Sequence, residues 1–138
     1  MISIASPSHN VSIAVISQFI KATANYSTFE KAVNAPYVRK TFELESIPEK
    51  GEIELTCTGF YRLFVNGKEI TNGRLAPNIT NPDEIIFYDT YDVTSLLLKG
   101  KNCIALILGN GISNAPGGYI WEFDTAKFRS APKLALAF

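Results

Sequence analysis

The sequence predicts an all-β fold, an antiparallel β-sandwich of the jelly-roll type, similar to galactose-binding domains, with one short helical turn. Short segments that alternate apolar and polar residues follow one another, and turn residues separate them about every eight to twelve positions. Asn66-Gly67 joins two such segments and suits the positive φ angles of a type I′ hairpin. Residues 102–108 are apolar on both faces, as in a central strand covered on both sides, which requires two layers.

Length and composition describe a globular domain with balanced charge. The chain has 138 residues, 46% of them hydrophobic, which is enough for a buried core. Its 13 basic and 13 acidic residues give no net charge, so we expect neither nucleic acid nor a membrane surface as a partner. We predict one sandwich domain over residues 35–138, preceded by a lead-in segment, residues 1–34, that is able to add a strand.

The first half of the domain reads as strands joined by turns. Residues 37–45 and 53–57 alternate apolar with charged or hydroxyl side chains, which predicts two half-exposed strands, and Lys40 is the one misfit. Thr58-Gly59 then leads directly into the hairpin. Residues 75–83 contain two prolines and cannot continue a β-ladder, so we expect a structured loop there.

The second half contains one more strand before the helical turn and an irregular segment after the central strand. Residues 85–91 predict a strand, and a side-chain oxygen of Asp92 or Thr94 can cap a helical turn that Gly100 ends. Residues 109–130 hold several glycines and the only tryptophan, and they are too irregular for a single strand. We expect the binding surface in this irregular segment.

Cysteine usage and the N-terminus suggest an intracellular domain. Cys57 and Cys103 lie in apolar segments without CxxC spacing, so we interpret them as free buried thiols; a disulfide between strands is the alternative. The N-terminus lacks a basic leader and an uninterrupted apolar span, so the expected location is the cytoplasm.

The acidic residues do not form the pair that glycoside hydrolysis requires. Asp89 and Asp92 would point to opposite faces of a strand, and Asp92 is better explained as a cap. Glu122 and Asp124 are interpreted as solvated loop residues, with calcium ligation as the alternative. His9 is the only histidine and lacks a partner of triad or zinc type. We predict no catalytic residue, no metal site and no cofactor.

Four residues of the irregular segment are candidates for carbohydrate binding. Tyr119 and Trp121 can stack on the apolar face of a sugar ring while Asn110 or Asn114 bonds its hydroxyls. In the alternative, both aromatic residues cover the end of the sandwich or dock on a neighbouring domain.

Two features point to protein contacts. Phe60, Arg62 and Phe64 share the outer face of their strand, and this composition is common in protein interfaces. The chain ends in the apolar strand-like segment 133–138, which predicts an open edge and a homodimer formed through it.

Five segments resemble, in this order, the N-terminal domain of bacterial α-L-rhamnosidases. Over residues 35–111 they read APYVRKTFEL, GFYRLFVNG, RLAPNIT, YDTYDVTSLLLKGKN and ALILGNG. Sugar-binding domains of β-galactosidases and β-glucuronidases share the hairpin and the DVT segment. The RLAP loop, and Tyr88 and Tyr91 around Asp89, look like the rhamnosidase type.

In the rhamnosidase family such a sandwich precedes a helical (α/α)₆ barrel that contains the catalytic carboxylates. The resemblance therefore implies a non-catalytic accessory domain that packs on the barrel of the same polypeptide and contributes to carbohydrate recognition. A sugar-binding domain of the β-galactosidase type and an autonomous carbohydrate-binding module are the alternatives. Ile112-Ser113 stands where the family has an aromatic pair, and the family's later strands do not follow Phe138, so we expect a truncated domain.

Overall fold

The computed structural model describes residues 3–5, 18–71, 73, 75–80, 84–117 and 126–138, with the backbone alone for residues 3–5. Its strands are β1 (Ser3–Ala5), β2 (Ile20–Lys21), β3 (Tyr37–Leu44), β4 (Glu52–Cys57), β5 (Phe60–Val65), β6 (Lys68–Glu69), β7 (Ile85–Phe87), β8 (Asp89–Asp92), β9 (Gly100–Gly109) and β10 (Lys133–Ala137). The described residues include two 3-10 turns, Thr94–Leu96 and Ile112–Asn114. In the part of the chain described, no helix has the length and apolar character needed to cross a bilayer.

Two four-stranded sheets make up the body of the domain. One has the order β2-β10-β4-β8 and the other β3-β9-β5-β6, and every neighbouring pair within them is antiparallel. A separate two-stranded sheet pairs β1 with β7 in parallel. The predicted antiparallel sandwich is confirmed, and the segment before residue 35 contributes two short strands.

The core lies between the two large sheets because each strand turns its apolar alternate residues inward. The residues of this core with no measurable exposure come from β4, from β5 and from the segment after β8: Ile53, Leu55, Leu63, Val65 and Val93. Burying side chains of this size typically contributes about 1.5–3 kcal/mol each before entropy is counted. The period-two pattern seen in the sequence is therefore the pattern of core burial.

The hairpin between β5 and β6 forms as predicted. Asn66 has a φ angle of 49° and Gly67 one of 84°, the left-handed pair that a type I′ turn requires. Val65 pairs with Lys68 and Phe64 with Glu69 across the turn. This register fixes which side chains of β5 lie on the outer face of the sheet.

Thr58-Gly59 leads into β5 as predicted, but it also carries the chain from one sheet to the other, since β4 and β5 belong to different sheets. The crossing is tight. A Cβ atom on Gly59 would lie 2.4 Å from the carbonyl oxygen of Gly109, and one on Gly111 would lie 2.9 Å from the Cα of Gly59. These glycines are therefore needed for the close approach of two backbone segments.

The prediction of one strand over residues 85–91 is wrong, because the structure has two strands there in different sheets. Ile86 and Tyr88 are buried two residues apart, but the next buried residue is Tyr91 rather than residue 90. The alternation changes phase after Tyr88, and the chain switches sheets at that point. The prediction of a single helical turn also needs correction, because a second one spans Ile112–Asn114.

The strand β9 is central, as predicted, since it lies between β3 and β5. The predicted coverage of both faces is wrong for the part of the chain described. Its inner residues are buried, whereas Cys103, Ala105 and Ile107 on the outer face are only half-buried. The second large sheet packs on the inner face alone, so the outer face keeps access to solvent.

The sandwich is open on the side where β3 faces β10. A groove of about 670 Å³ lies there, and its walls include Val38, Phe42, Leu136 and Phe138. Lys40, the misfit in the pattern of β3, also lines this groove and is exposed. An inward-facing lysine is tolerated here because the groove admits water.

Candidate functional site

The two candidate asparagines lie after β9 and hold the lead-in segment in place. Asn114 is 2% exposed. Its Nδ2 atom donates to the carbonyl oxygen of Val33 at 2.9 Å and to Oδ1 of Asn110 at 2.8 Å, and its Oδ1 atom accepts from the backbone N–H of Ser27 at 2.8 Å. Asn110 is exposed and donates to the same carbonyl of Val33 at 3.2 Å. The amide of Asn114 therefore attaches the lead-in segment to the segment after β9 by hydrogen bonds.

Arg129 also attaches the lead-in segment to the segment after β9, and the sequence analysis missed this residue. Its guanidinium donates to the carbonyl oxygens of Ser27 at 2.7 Å and Ala115 at 3.0 Å. It also lies over the ring of Tyr26, 4.6 Å from the ring centroid, a distance typical of cation–π contacts. Arg129 belongs to no spacing motif, so only the folded chain shows what it contacts.

The other predicted site residues lie outside the described residues. These are Tyr119 and Trp121. Glu122, Asp124 and His9, which the sequence analysis weighed as catalytic or metal-binding residues and did not select, lie outside the described residues as well. The assignment of Asn110, Asn114, Tyr119 and Trp121 to carbohydrate binding stays a prediction. A sugar hydroxyl that bonded Asn114 would have to displace a bond within the protein, because the amide is buried and engaged.

A buried polar cluster joins the two sheets near the start of β8. The hydroxyl of Tyr61 donates to Oδ2 of Asp89 and lies 2.8 Å from the hydroxyl of Tyr91. The two rings meet edge to face, 6.4 Å between centroids. Burial, and then the hydrogen bond with Asp89, raises the pKa of Tyr61 well above its usual value. The phenol therefore stays protonated and remains a donor to the carboxylate.

Asp92 points away from this cluster, as predicted. Asp89 pairs with Leu55 of the core, whereas Asp92 pairs with Glu52 on the opposite face. Oδ1 of Asp92 accepts the backbone N–H of Thr94 at 2.9 Å, and hydrogen bonds from Thr94 lower the pKa of the Asp92 carboxyl. The predicted cap is nevertheless wrong, because the N-cap of the turn is Val93, without a side-chain capping bond, and the bond from Thr94 to Asp92 closes a local turn before it. The helical turn also ends at Leu96 rather than at Gly100, which begins β9. The two carboxylates do not face a common cleft.

The thiols and acidic groups do not assemble into a metal site in the part of the chain described, where no group of three or more His, Cys, Asp or Glu side chains gathers. Both cysteines are free. Cys57 is buried as predicted, and burial raises the pKa of its thiol to about 12. Cys103 is only half-buried, because it lies on the outer face of β9.

The described residues form an antiparallel β-sandwich in which Asn114 and Asp89 are bonded to groups of their own chain. Comparison with known families then identifies it. The α-L-rhamnosidase N-terminal domain family matches residues 48–137, and the chain belongs to that family. This agrees with the RLAP loop and the Tyr88, Asp89 and Tyr91 pattern, and it decides against the β-galactosidase type.

Individual relatives agree with the family. The chain is 32% identical over 77 residues to an α-L-rhamnosidase of Formosa agariphila, covering 56% of this chain and 8% of that protein. The structure of an α-L-rhamnosidase from Dictyoglumus thermophilum matches with a TM-score of 0.61 and 31% identity, covering 75% of this chain and 10% of that one. A Streptomyces avermitilis α-L-rhamnosidase complexed with L-rhamnose matches with a TM-score of 0.64 and 26% identity, over 75% and 10% of the two chains. This chain spans about a tenth of the length of these relatives.

Proposed function

We propose that this chain is a non-catalytic accessory domain that packs on the catalytic domain of a glycoside hydrolase acting on α-L-rhamnosides. The observation that carries the proposal is the family match over residues 48–137 in a chain that spans about a tenth of its relatives' length. The resemblance implies an (α/α)₆ barrel as the catalytic partner in the same polypeptide.

The chemistry of the described residues supports a structural role. Asp89 is bonded to Tyr61, and Asp92 is bonded to Thr94 on the other face, so neither is poised opposite a second carboxylate. Hydrolysis with either stereochemical outcome needs two carboxyl groups roughly 5–10 Å apart across a sugar-sized cleft. Neither Asp89 nor Asp92 is therefore a member of a catalytic pair formed by described residues, and the proposal assigns that pair to the barrel.

Hydrolysis of 4-nitrophenyl α-L-rhamnopyranoside tests the proposal. We expect turnover by the complete polypeptide that carries this domain and none by the 138-residue chain alone. Asp89→Asn and Asp92→Asn variants of the complete polypeptide should retain turnover wherever the fold is retained. Turnover by the chain alone, or an inactive complete polypeptide, would overturn the proposal.

Carbohydrate recognition is a second candidate function, and the exposure of Asn110 favours it. Asn110 precedes the glycine-rich segment in which Tyr119 and Trp121 were predicted to stack on a sugar, and the relative from Streptomyces avermitilis was solved with L-rhamnose. Calorimetric titration with L-rhamnose and with galactose tests it. Binding heat that disappears in Trp121→Ala but persists in Phe29→Ala, an exposed aromatic of the lead-in segment, is the expected result. No heat at millimolar sugar would contradict it.

The remaining proposal about partners is self-association through the β10 edge, by which we mean the side of residues 135–137 that faces away from β4. In the described chain β2 pairs only with Lys133 and Leu134 of β10, so the β2 side of residues 135–137 has no pairing partner there. The apolar groove between β3 and β10 lies along this same edge. An unpaired edge beside an apolar groove is able to accept a strand of a second chain.

A further inference from the structure

The outer face of the sheet formed by β3, β9 and β5 has an apolar central part, with the polar residues Thr41, Glu43 and Lys101 towards one end. Three strands contribute to it, and their outward residues meet in register. Tyr37 pairs with Ile107, and Ala105 pairs with Arg39 on one side and Phe64 on the other. We call this surface the docking face and define it by Tyr37, Arg39, Phe64, Cys103, Ala105 and Ile107.

The shape of the docking face follows from the small residues at its centre. Cys103 and Ala105 of β9 lie between larger side chains of the flanking strands and leave a shallow depression of about 570 Å³. Tyr37 stands at the rim and is 81% exposed. A depression with an apolar floor and an aromatic rim is the form of surface that receives an anchor residue of a partner.

Arg39 of the docking face and Arg62, which lies beside it on the outer face of β5, differ in what they offer a partner. The guanidinium of Arg62 forms two bonds with Glu69, of 2.7 and 2.5 Å, and lies 5.5 Å from the centroid of the Phe64 ring, so its charge is already neutralised. Arg39 is exposed and forms no ion pair with a described residue. A partner that presents a carboxylate next to apolar side chains would therefore complement the docking face.

The outer face of the opposite sheet has a different character. Its outward positions at the β4–β8 pair are Glu52, Glu54, Thr90 and Asp92, and Glu52 is paired with Lys50 at 3.0 Å. Charged residues of this kind are depleted from the centres of protein interfaces. Of the two outer faces, the docking face has the composition of an interface.

We propose that the docking face is the surface through which this domain packs on the catalytic domain of its own polypeptide. The inference rests on the proposed function, in which most of the polypeptide lies outside this chain, as in relatives where the match covers 8–10% of the length. A second copy of this chain is the poorer occupant. It would bring a second Arg39 to the interface and no carboxylate at the centre of the face.

Alkylation of Cys103 in the complete polypeptide tests the inference, because this thiol lies on the docking face and Cys57 is buried. We expect slow alkylation of Cys103 in the wild type. Ala105→Arg places a large cation in the depression and should accelerate the reaction about tenfold or more. Thr90→Arg, at an exposed position on the outer face of β8, is the matched control and should leave the rate unchanged.

A second variant guards against misfolding. Tyr37→Glu changes an 81% exposed side chain, so it should preserve the fold and still accelerate alkylation, with Cys57 unreactive throughout. Equal Cys103 rates in wild type, Ala105→Arg, Tyr37→Glu and Thr90→Arg would overturn the inference. This outcome is distinct from failure of the proposed function, which is read from rhamnoside hydrolysis and not from thiol reactivity.

Discussion

The side chains of Asn66 and Asn102 are hydrogen bonded, with 2.9 Å between Nδ2 of Asn66 and Oδ1 of Asn102. Asn66 lies in the hairpin turn and Asn102 near the start of β9. Asn102 also bonds the N–H and C=O of Leu98 and the carbonyl of Gly100. One buried amide therefore joins the hairpin, the helical-turn segment and the central strand.

Replacing Asn102 by Ala should destabilise the domain by about 2–4 kcal/mol, because several polar groups would be left buried without partners. The free energy of unfolding in urea measures the effect. Asn34→Ala, at an exposed position, is the matched control and should change it by less than about 0.5 kcal/mol. Equal unfolding midpoints for the two variants would show that the network does not stabilise the fold.

Tyr61→Phe should cost about 1–3 kcal/mol, since it removes the donor to Asp89 and the contact with the hydroxyl of Tyr91 while preserving the ring. Thermal unfolding followed by circular dichroism is the measurement. Tyr37→Phe removes the same atom from a side chain that is 81% exposed and should leave the melting temperature unchanged. Equal melting temperatures for Tyr61→Phe and Tyr37→Phe would show that the hydrogen bonds of the Tyr61 hydroxyl do not stabilise the fold.

Gly59→Ala should destabilise by about 1–3 kcal/mol, because the new methyl group meets the rigid carbonyl of Gly109 at 2.4 Å. Gly51→Ala is the comparison. There the methyl group meets Cδ1 of Leu97 at 2.4 Å, the end of a side chain that is able to move. Urea unfolding should rank Gly59→Ala as the more damaging change, and the reverse order would contradict the proposed close crossing.

Stability should fall above about pH 9 through Cys57. Burial raises the pKa of this thiol from 9.0 to about 12, so the folded state keeps the proton while the unfolded state loses it. The contribution of the protonated Cys57 thiol to the free energy of unfolding is complete below pH 9.0 and is lost as pH rises towards 12. Between pH 9 and 10 the loss is about 1 kcal/mol. Urea unfolding under reducing conditions should show this extra loss of stability in wild type and not in Cys57→Ala. If the free energy of unfolding fell equally steeply with pH in both proteins, the role of Cys57 would be refuted.

The isolated chain should self-associate through the β10 edge. Light scattering over a concentration series is expected to show a dimer. Phe138→Glu places a charge in the groove beside this edge and should give a monomer, whereas Phe29→Glu, at a 69% exposed position in the lead-in segment, should not. A wild-type chain that stays monomeric at high concentration and melts cooperatively would count against the proposal.

Much of the fold was predictable because burial on a β-strand follows a period of two. The inward residues of β3, β4 and β5 were correctly assigned from that period, and the φ preferences of Asn66 and Gly67 identified the hairpin. The same rule failed after Tyr88, where the alternation changes phase and the chain moves to another sheet. A local pattern does not encode which sheet a strand joins.

The candidate sites also divide into residues that the sequence selects by their chemistry and contacts that only the folded chain shows. Asn110 and Asn114 were selected for their chemistry, but the residues that Asn114 bonds, Ser27 and Val33, are distant in sequence and belong to the lead-in segment. The role of Arg129 likewise depends on Tyr26, Ser27 and Ala115, which no spacing rule connects to it. Such contacts arise from long-range packing, so they were visible only in the folded chain.

The sequence by itself determined the all-β class, the hairpin and the family, because each depends on neighbouring residues or on motifs quoted in order. The tertiary structure decided which strands share a sheet, which polar side chains close the Asn102 and Tyr61 networks, and that the outer face of β9 stays half-exposed. The physical reason is that an apolar residue is equally suited to a core or to an interface, and only the packing of the sheets shows which of its faces is already covered.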